Sequence, residues 1–278
     1  MIETRTIRLG ALDFTVNCSG ADLAPTVLLL HGFPETRHMW RHQLETLAAA
    51  GYRVVAPDQR GYAAGARPPR EQDYATDLIV ADALAMMDAL GAQRFHLVGH
   101  DWGGQIAWLL AAAYPMRVQS LAVLSRPHPT AFARAMREDP AQAERSRHHR
   151  AFREPDTIQR LRDAELHPLR EVMEQQGVPR ADAEIYRRAL SAEGALEATI
   201  NWYRASTLAT EIAAITVPTL YVWGTEDATV GRMAAELTAH YVRASYRFIA
   251  LAGAGHFVVD QFPAQISNLL LAHLHAHS

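Results

Sequence analysis

One segment of the sequence flanks a reactive side chain with residues able to present it. Gly99-His100-Asp101-Trp102-Gly103-Gly104 follows a short apolar run and precedes a helical pattern. In a Gly-x-nucleophile-x-Gly turn, small residues on either side permit a tight strand-to-helix bend that holds one side chain above the sheet edge. The apex here is Asp101. A carboxylate needs no base to become nucleophilic, and it attacks saturated carbon to give an ester, where a serine attacks a carbonyl to give an acyl-enzyme. An Asp in this place could also cap the helix that starts at Trp102. The glycines on both sides favour the nucleophile.

An alkyl ester on Asp101 then has to be hydrolysed, which takes a water, a base for it and a group that orients the base. Two later loops supply candidates in the order nucleophile, acid, histidine. Asp227 ends Trp223-Gly-Thr-Glu-Asp227, directly after an apolar strand at 219–222, and His256 ends Ala252-Gly-Ala-Gly-His256, directly after a strand closing near Ala250. Glu226 competes with Asp227 for the acid role. Most of the 14 histidines are expected at the surface or at caps, but one preceded by Gly-Ala-Gly at a strand end is a different case. His31-Gly32-Phe33-Pro34-Glu35 follows the strand ending at Leu30. There the backbone N–H groups of Phe33 and Trp102 would converge on the Asp101 carbonyl oxygen as it becomes tetrahedral, each worth about 3 to 4 kcal/mol. Taken alone, the same pentapeptide reads as a β-turn around Pro34.

These residues need a sheet to hold them. Residues 7–16 alternate well enough for a half-buried strand, and 25–30 form the kind of apolar run that fills a central strand covered on both faces. Two similar runs, at 53–56 and 94–98, follow helix-like stretches at 40–50 and 77–90 that stop at Gly51 and Gly91. A helix at 105–114, strands at 120–124, 219–222 and 246–250, and a helix near 232–241 complete the alternation. The pattern predicts an α/β fold, a mostly parallel sheet wrapped by helices. Between about 129 and 215 it changes to Ala, Arg and Glu with no β-branched run, broken by Pro140, Pro155, Pro168 and Pro179. This predicts an all-helical insert between core segments 1–128 and 216–278. Inserted where strands end, it could cover a ligand site as a lid.

Composition narrows the chemistry further. The 278 residues, 49% hydrophobic and 21% charged, suit one compact enzyme-sized domain and exclude a disordered or fibrous protein. All 27 basic residues are Arg, so Schiff-base chemistry and a lysine-bearing phosphate loop are absent. A formal charge of -3 offers no basic stripe for a phosphate backbone, so nucleic acid is not expected as a partner. Cys18, the single cysteine, cannot form an internal disulfide or a thiolate metal cluster. No basic-then-apolar leader opens the sequence and no apolar run approaches ~18 residues, so the expectation is a soluble cytoplasmic protein with no membrane partner. A homodimer fits an enzyme of this size, without any residue that argues for it.

Taken together, these residues resemble the α/β-hydrolase family and, within it, the epoxide hydrolases and haloalkane dehalogenases that use an Asp nucleophile. The resemblance runs from about Ile7 to Leu274. It includes Tyr52-Arg-Val-Val-Ala-Pro-Asp58, Arg60-Gly-Tyr62, the Asp101 turn, Tyr114-Pro-x-Arg117-Val118 and the loops of Asp227 and His256. Gly61-Tyr-Ala-Ala-Gly65 departs from the family's usual Gly-x-Ser in a loop that is not catalytic.

The resemblance implies that the helical insert chooses the leaving group. In epoxide hydrolases two side chains of the insert, commonly both Tyr, bind and protonate the oxirane oxygen. Tyr186, in Asp182-Ala-Glu-Ile-Tyr186 upstream of Asn201-Trp-Tyr-Arg204, looks like the second of them. A phenol with a pKa of ~10 stays protonated at neutral pH and can donate to a developing alkoxide. The first is expected four residues before the Phe of Phe152-Arg-Glu-Pro155, where this sequence has His148. A minority of the family pairs His with Tyr, and imidazole can donate from either nitrogen. His149, or a surface position beside Arg147 and Arg150, remains open for this histidine.

Against a dehalogenase, Phe33 stands where many of those enzymes carry a halide-binding Asn. Trp102 is common to both groups and does not discriminate. Fluoroacetate-type dehalogenases place Arg where this chain has Trp102 and Gln105. A dehalogenase using Trp102 with a second donor such as Trp202 remains the alternative. No Gly-x-Ser-x-Gly occurs at the turn, which sets aside Ser-dependent esterases, and a ligand receptor with a decayed site is disfavoured by the intact Asp101, Asp227 and His256. The sequence therefore predicts an epoxide hydrolase acting on a small hydrophobic epoxide, without metal or organic cofactor, whose pocket is lined by Trp102, Phe33, Pro34 and Tyr203.

Overall fold

The computed structural model describes residues 1–206 and 211–278; residues 207–210, part of the expected 129–215 insert, lie outside the described residues. Eight strands form one sheet: β1 (Glu3–Leu9), β2 (Leu12–Ser19), β3 (Thr26–Leu30), β4 (Arg53–Pro57), β5 (Phe95–His100), β6 (Val118–Leu124), β7 (Thr219–Gly224) and β8 (Tyr246–Leu251). Their order is β1-β2-β4-β3-β5-β6-β7-β8, antiparallel from β1 to β4 and parallel from β4 to β8. Every residue of β3, β4, β5 and β7 is buried, as continuous apolar runs covered on both faces require.

The single strand expected at 7–16 is instead the hairpin β1–β2, turning at Gly10, whose φ of +60° suits the bend. The alternation continues through the turn, so periodicity alone reads two short strands as one. The helices of the core are α1 (Arg41–Ala49), α2 (Thr76–Ala89) and α3 (Trp102–Ala113) before the insert. Between β6 and β7 come α4 (Pro129–Glu138), α5 (Pro140–Arg145), α6 (Arg147–Ala151), α7 (Thr157–Asp163), α8 (His167–Gln175), α9 (Arg180–Ser191) and α10 (Ala195–Ala205). The chain then returns to the sheet with α11 (Arg232–Leu237), α12 (Val258–Gln261) and α13 (Pro263–His275).

The prolines of the helical stretch punctuate it as their missing N–H dictates. Pro140 and Pro168 lie in the first turns of α5 and α8, where no intrahelical donor is lost, and Pro179 caps α9. Two apolar clusters hold the sheet, one on each face. Leu28, Leu97 and Trp108 belong to the first; Val27, Val98 and Leu220 belong to the second, with Tyr186 of α9 packed into it. Among the described residues no helix is long and apolar enough to cross a membrane.

Candidate active site

The parallel strands all end on one side of the sheet, and the reactive residues occupy the loops there. Asp101 stands between β5 and α3 with φ +50° and ψ −117°, a backbone conformation that a side-chain-bearing residue rarely adopts. The turn closes only because its neighbours are small. A Cβ on Gly99 would lie 2.3 Å from the Gly103 carbonyl oxygen, and one on Gly32 would lie 2.5 Å from the Asp101 Cβ. The helix-cap alternative fails here, because the Asp101 side chain caps no N–H of α3. Its Oδ1 accepts the Phe33 N–H at 3.0 Å instead. Trp102 is the first residue of α3, so its N–H has no partner within the helix.

His256 faces the other carboxylate oxygen, with Nε2 3.5 Å from Asp101 Oδ2. Its Nδ1 lies 3.0 Å from Asp227 Oδ2. Asp227 Oδ1 accepts the N–H groups of Thr229 and Val230 and the Thr229 hydroxyl, at 2.8, 3.0 and 2.8 Å. Glu226 is exposed and takes no part in this arrangement. Burial opposes charge on all three groups, yet their mutual attraction wins. His256 is pushed up to about 10 by the two carboxylates, and Asp227 falls below the usual carboxylate range because of His256 and Thr229. Asp101 is held well below that range by His256, His100 and the Phe33 N–H. The resting site is therefore a carboxylate–imidazolium–carboxylate chain at neutral pH.

A second buried pair lies beneath it. His100 Nε2–H donates to the His256 carbonyl at 2.9 Å, and its Nδ1 is 2.8 Å from Glu35 Oε2. Burial raises the Glu35 pKa and the Glu35 charge raises that of His100, so one proton is held between them. Sequence reasoning missed this pair although its signals were adjacent: Glu35 closes the His31–Glu35 run and His100 precedes the nucleophile. His31 has a structural role. Its Nδ1–H donates to the Gly32 carbonyl while Nε2 accepts the Gln59 N–H, and burial drops its pKa to about 4.

A cavity of about 280 Å³ opens above Asp101 and His256. Phe33, Pro34, Tyr203 and His148 line it, with Phe152, Leu169, Val172 and Met173 as the apolar wall and Arg145, Arg147 and Thr229 among the polar groups. Tyr203 is held by aromatic edges, 5.0 Å from Trp102 and 5.4 Å from Phe33 between ring centroids. Its hydroxyl finds no hydrogen-bond acceptor among the described residues. Burial and the Asp101 charge keep its pKa well above 10, so it stays protonated. His148 Nδ1–H donates to the Arg145 carbonyl at 3.2 Å, and burial lowers its pKa below the usual value. His149 packs behind it, 6.0 Å from the Trp102 ring.

Two expected pocket residues lie elsewhere. Tyr186 does not reach the cavity: its ring is buried in the core and its hydroxyl donates to Asp260 Oδ2 at 2.8 Å. The side of α9 that carries Tyr186 also carries Asp182, which bonds to Arg41 and His38 at 2.7 and 2.8 Å. The motif Asp182-Ala-Glu-Ile-Tyr186 therefore docks α9 on the core, and the tyrosine of the cavity is Tyr203 on α10. The Trp102 side chain likewise stands behind Tyr203 as its support and forms no part of the cavity wall. Trp202, the alternative halide donor, spends its indole N–H on the Arg60 carbonyl at 2.8 Å.

Known proteins share this architecture. Residues 25–263 match the alpha/beta hydrolase fold family, and the chain belongs to that family. Its relatives within that family include epoxide hydrolases. The chain is 36% identical over 280 residues to epoxide hydrolase 4 of Mus musculus, across 96% of this chain and 78% of that protein. It is 31% identical over 322 residues to epoxide hydrolase A of Mycobacterium tuberculosis, across 99% and 96%. Among solved structures, a Bacillus megaterium epoxide hydrolase with a bound inhibitor superposes with a TM-score of 0.88 at 25% identity, covering 98% of this chain and 100% of that one. Epoxide hydrolase A of Mycobacterium thermoresistibile gives 0.82 at 27% identity, over 100% and 99%.

Proposed function

We propose that the protein hydrolyses a small hydrophobic epoxide to a vicinal diol through an ester on Asp101, beneath a cap formed by residues 129–215. The observation that carries this reading is an ionised Asp101 on the floor of a cavity whose wall holds the protonated hydroxyl of Tyr203, which donates to no acceptor among the described residues. Asp101 Oδ2 attacks a ring carbon from behind, since Oδ1 is already held by the Phe33 N–H. The C–O bond of the ring breaks, its electron pair stays on oxygen, and that oxygen takes the Tyr203 proton. His148 can assist only in its cationic form, because its Nδ1–H is committed to the Arg145 carbonyl and leaves neutral Nε2 as an acceptor.

Ester formation also prepares the second step. Esterified Asp101 carries no charge, so one of the two anions that push His256 up to about 10 disappears; its imidazolium gives up a proton that replaces, directly or through water, the one Tyr203 has lost, and the neutral imidazole becomes a usable base. Neutral His256, oriented by Asp227, takes a proton from water as the hydroxide attacks the ester carbon. The oxyanion develops on Oδ1, facing the Phe33 N–H and the unpaired Trp102 N–H at the start of α3. On collapse the His256 proton goes to the leaving alkoxide, and the water's second proton passes from the new carboxyl group to His256, which restores the Asp101 carboxylate, now carrying the water's oxygen, and the resting imidazolium. Phe33, Pro34 and Tyr203 line the substrate pocket.

A haloalkane dehalogenase is the second reading, and the engaged Trp202 N–H counts against it. Intact mass spectrometry of His256→Gln mixed with styrene oxide, and separately with a bromoalkane, tests the choice. The epoxide should add its whole mass to a peptide containing Asp101 while the bromoalkane adds nothing. An alkyl adduct from the bromoalkane alone would replace the reading by the dehalogenase, and no adduct from either would favour a ligand receptor.

A further inference from the structure

Asp101 and His256 are bonded to groups of the core, whereas the loop of Asp227 is tied to the helical insert. That loop, residues 227–231, forms neither helix nor strand, so its backbone groups need partners from elsewhere. Inside it, Asp227 Oδ1 accepts the Thr229 and Val230 N–H groups. The core supplies the Gly224 carbonyl to the Asp227 N–H at 3.1 Å and the Trp223 indole N–H to the Val230 carbonyl at 3.0 Å. The remaining bonds come from α5, whose start is set by the cap of Asp139 and by Pro140. Fully buried Gln142 donates from Nε2 to the Thr229 carbonyl at 2.9 Å and accepts the Gly231 N–H on Oε1 at 2.8 Å. Gly231 permits this approach, because a Cβ there would crowd Gln142 Oε1 at 3.3 Å. Three residues further on, Arg145 donates to the Asp227 carbonyl at 2.7 Å. The clamped loop brings two groups to one imidazole nitrogen: Asp227 Oδ2 lies 3.0 Å and the Thr229 hydroxyl 2.7 Å from His256 Nδ1.

We infer that Gln142 and Arg145 are positioning residues for the ester-hydrolysis step, clamping from α5 the loop that aims Asp227 at His256. The inference rests on the epoxide hydrolase reading. Ring opening uses Asp101 and Tyr203, neither of which touches this loop through a hydrogen bond. Asp227 is needed afterwards, when His256 has to be oriented and basic enough to take a proton from water. An amide side chain offers a donor and an acceptor together, so Gln142 pairs with the loop on both sides. Without it the Thr229 carbonyl and the Gly231 N–H lose their partners, and the loop has to turn to find others, carrying the carboxylate and the Thr229 hydroxyl away from Nδ1.

Rapid mixing with styrene oxide and intact mass detection separates the two steps, since the Asp101 adduct first forms and then decays. Gln142→Met keeps the length of the side chain and loses both loop bonds; it should slow decay about tenfold, and Arg145→Met about threefold, with formation changed by less than about twofold. The pH midpoint of decay should also fall, by about one unit in Gln142→Met, because a displaced carboxylate no longer holds the imidazolium proton. The other groups facing His256, which are His100, Glu35 and His148, are unaltered in these variants, and Asp101 is neutral in the adduct. Arg145→Lys keeps a donor for the Asp227 carbonyl and should recover most of the decay rate. Ser146→Ala removes the bond of Gln142 to the end of its own helix, touches no loop residue, and should change neither rate. Equal slowing of formation and decay, or decay unchanged in both Met variants, overturns the inference; if Gln142→Met does not fold, the Arg145→Met and Arg145→Lys pair decides it. A second readout needs no epoxide. The low-field proton resonance of His256 Nδ1–H should move upfield or broaden in Gln142→Met and persist in Ser146→Ala, and a resonance unmoved in Gln142→Met overturns the clamp. Should it move while no protein forms a styrene oxide adduct, the epoxide hydrolase reading falls and the clamp on Asp227 stands.

Discussion

Two tyrosines of the helical segment, Tyr186 on α9 and Tyr203 on α10, are equally buried and belong to opposite halves of the molecule's chemistry. Tyr186 donates to Asp260, which also binds Arg41 at 2.7 Å, and Arg41 bonds in turn to Asp182 one helical turn before Tyr186. Its proton is committed to the interface between α9 and the core. Tyr203 is held by the Trp102 and Phe33 rings, and a hydrogen bond from the Trp102 indole leaves its own proton without an acceptor among the described residues. Burial keeps both phenols protonated, so a raised pKa does not distinguish them. What separates a committed hydroxyl from one available to a substrate here is whether an acceptor within the protein already holds it.

Replacing each tyrosine by Phe should separate the two roles. Tyr203→Phe removes the only phenol that lines the cavity among the described residues, so kcat/KM for styrene oxide should fall about 100-fold or more at pH 8, with the melting temperature little changed. Stopped-flow turnover and a thermal scan check both. A fall of less than threefold would make Tyr203 a wall residue and dissolve the comparison.

The pH dependence sharpens it next. The His148 pKa is lowered by burial, and only its cation can donate from Nε2, so its help is present below that pKa and lost as pH rises through it. Above it the natural protein should reach a plateau carried by Tyr203. Tyr203→Phe should have no plateau, its alkylation rate dropping about tenfold per pH unit on the alkaline side of the His148 pKa. A pH-independent residual rate would mean that His148 does not donate.

Smaller effects are expected on the Tyr186 side, and they belong to stability. Arg41→Gln leaves fully buried Asp260 with one donor instead of two and Asp182 with His38 alone, which should cost about 2 to 3 kcal/mol in chemical denaturation. Tyr186→Phe removes one hydrogen bond to a charged group and should cost about 1 to 2 kcal/mol, with kcat/KM within a factor of a few of the natural protein.

How far the sequence reveals this division depends on the range of the interactions involved. The Asp101 turn, the two C-terminal loops and the His31–Glu35 run are strand-end segments whose glycines and neighbours are local, so their roles are legible from a few consecutive residues. Tyr186 and Tyr203 both lie on the apolar faces of amphipathic helices, where the pattern marks burial and not what the polar tip meets. The partner that decides the role of Tyr186 is 74 residues away. The hairpin at Gly10 was hidden for a different reason, because alternation passes unbroken through a two-residue turn.

The rate of ester formation tests the central claim most directly. In a His256→Gln background, where hydrolysis is blocked, rapid mixing with styrene oxide at pH 8 and intact mass detection would follow the Asp101 adduct alone. The account predicts that adding Tyr203→Phe slows its formation about 100-fold while adding Tyr186→Phe changes it by less than threefold. Equal slowing by both, or adduct formation unaffected by Tyr203→Phe, would contradict the assignment of Tyr203 as the ring-opening acid.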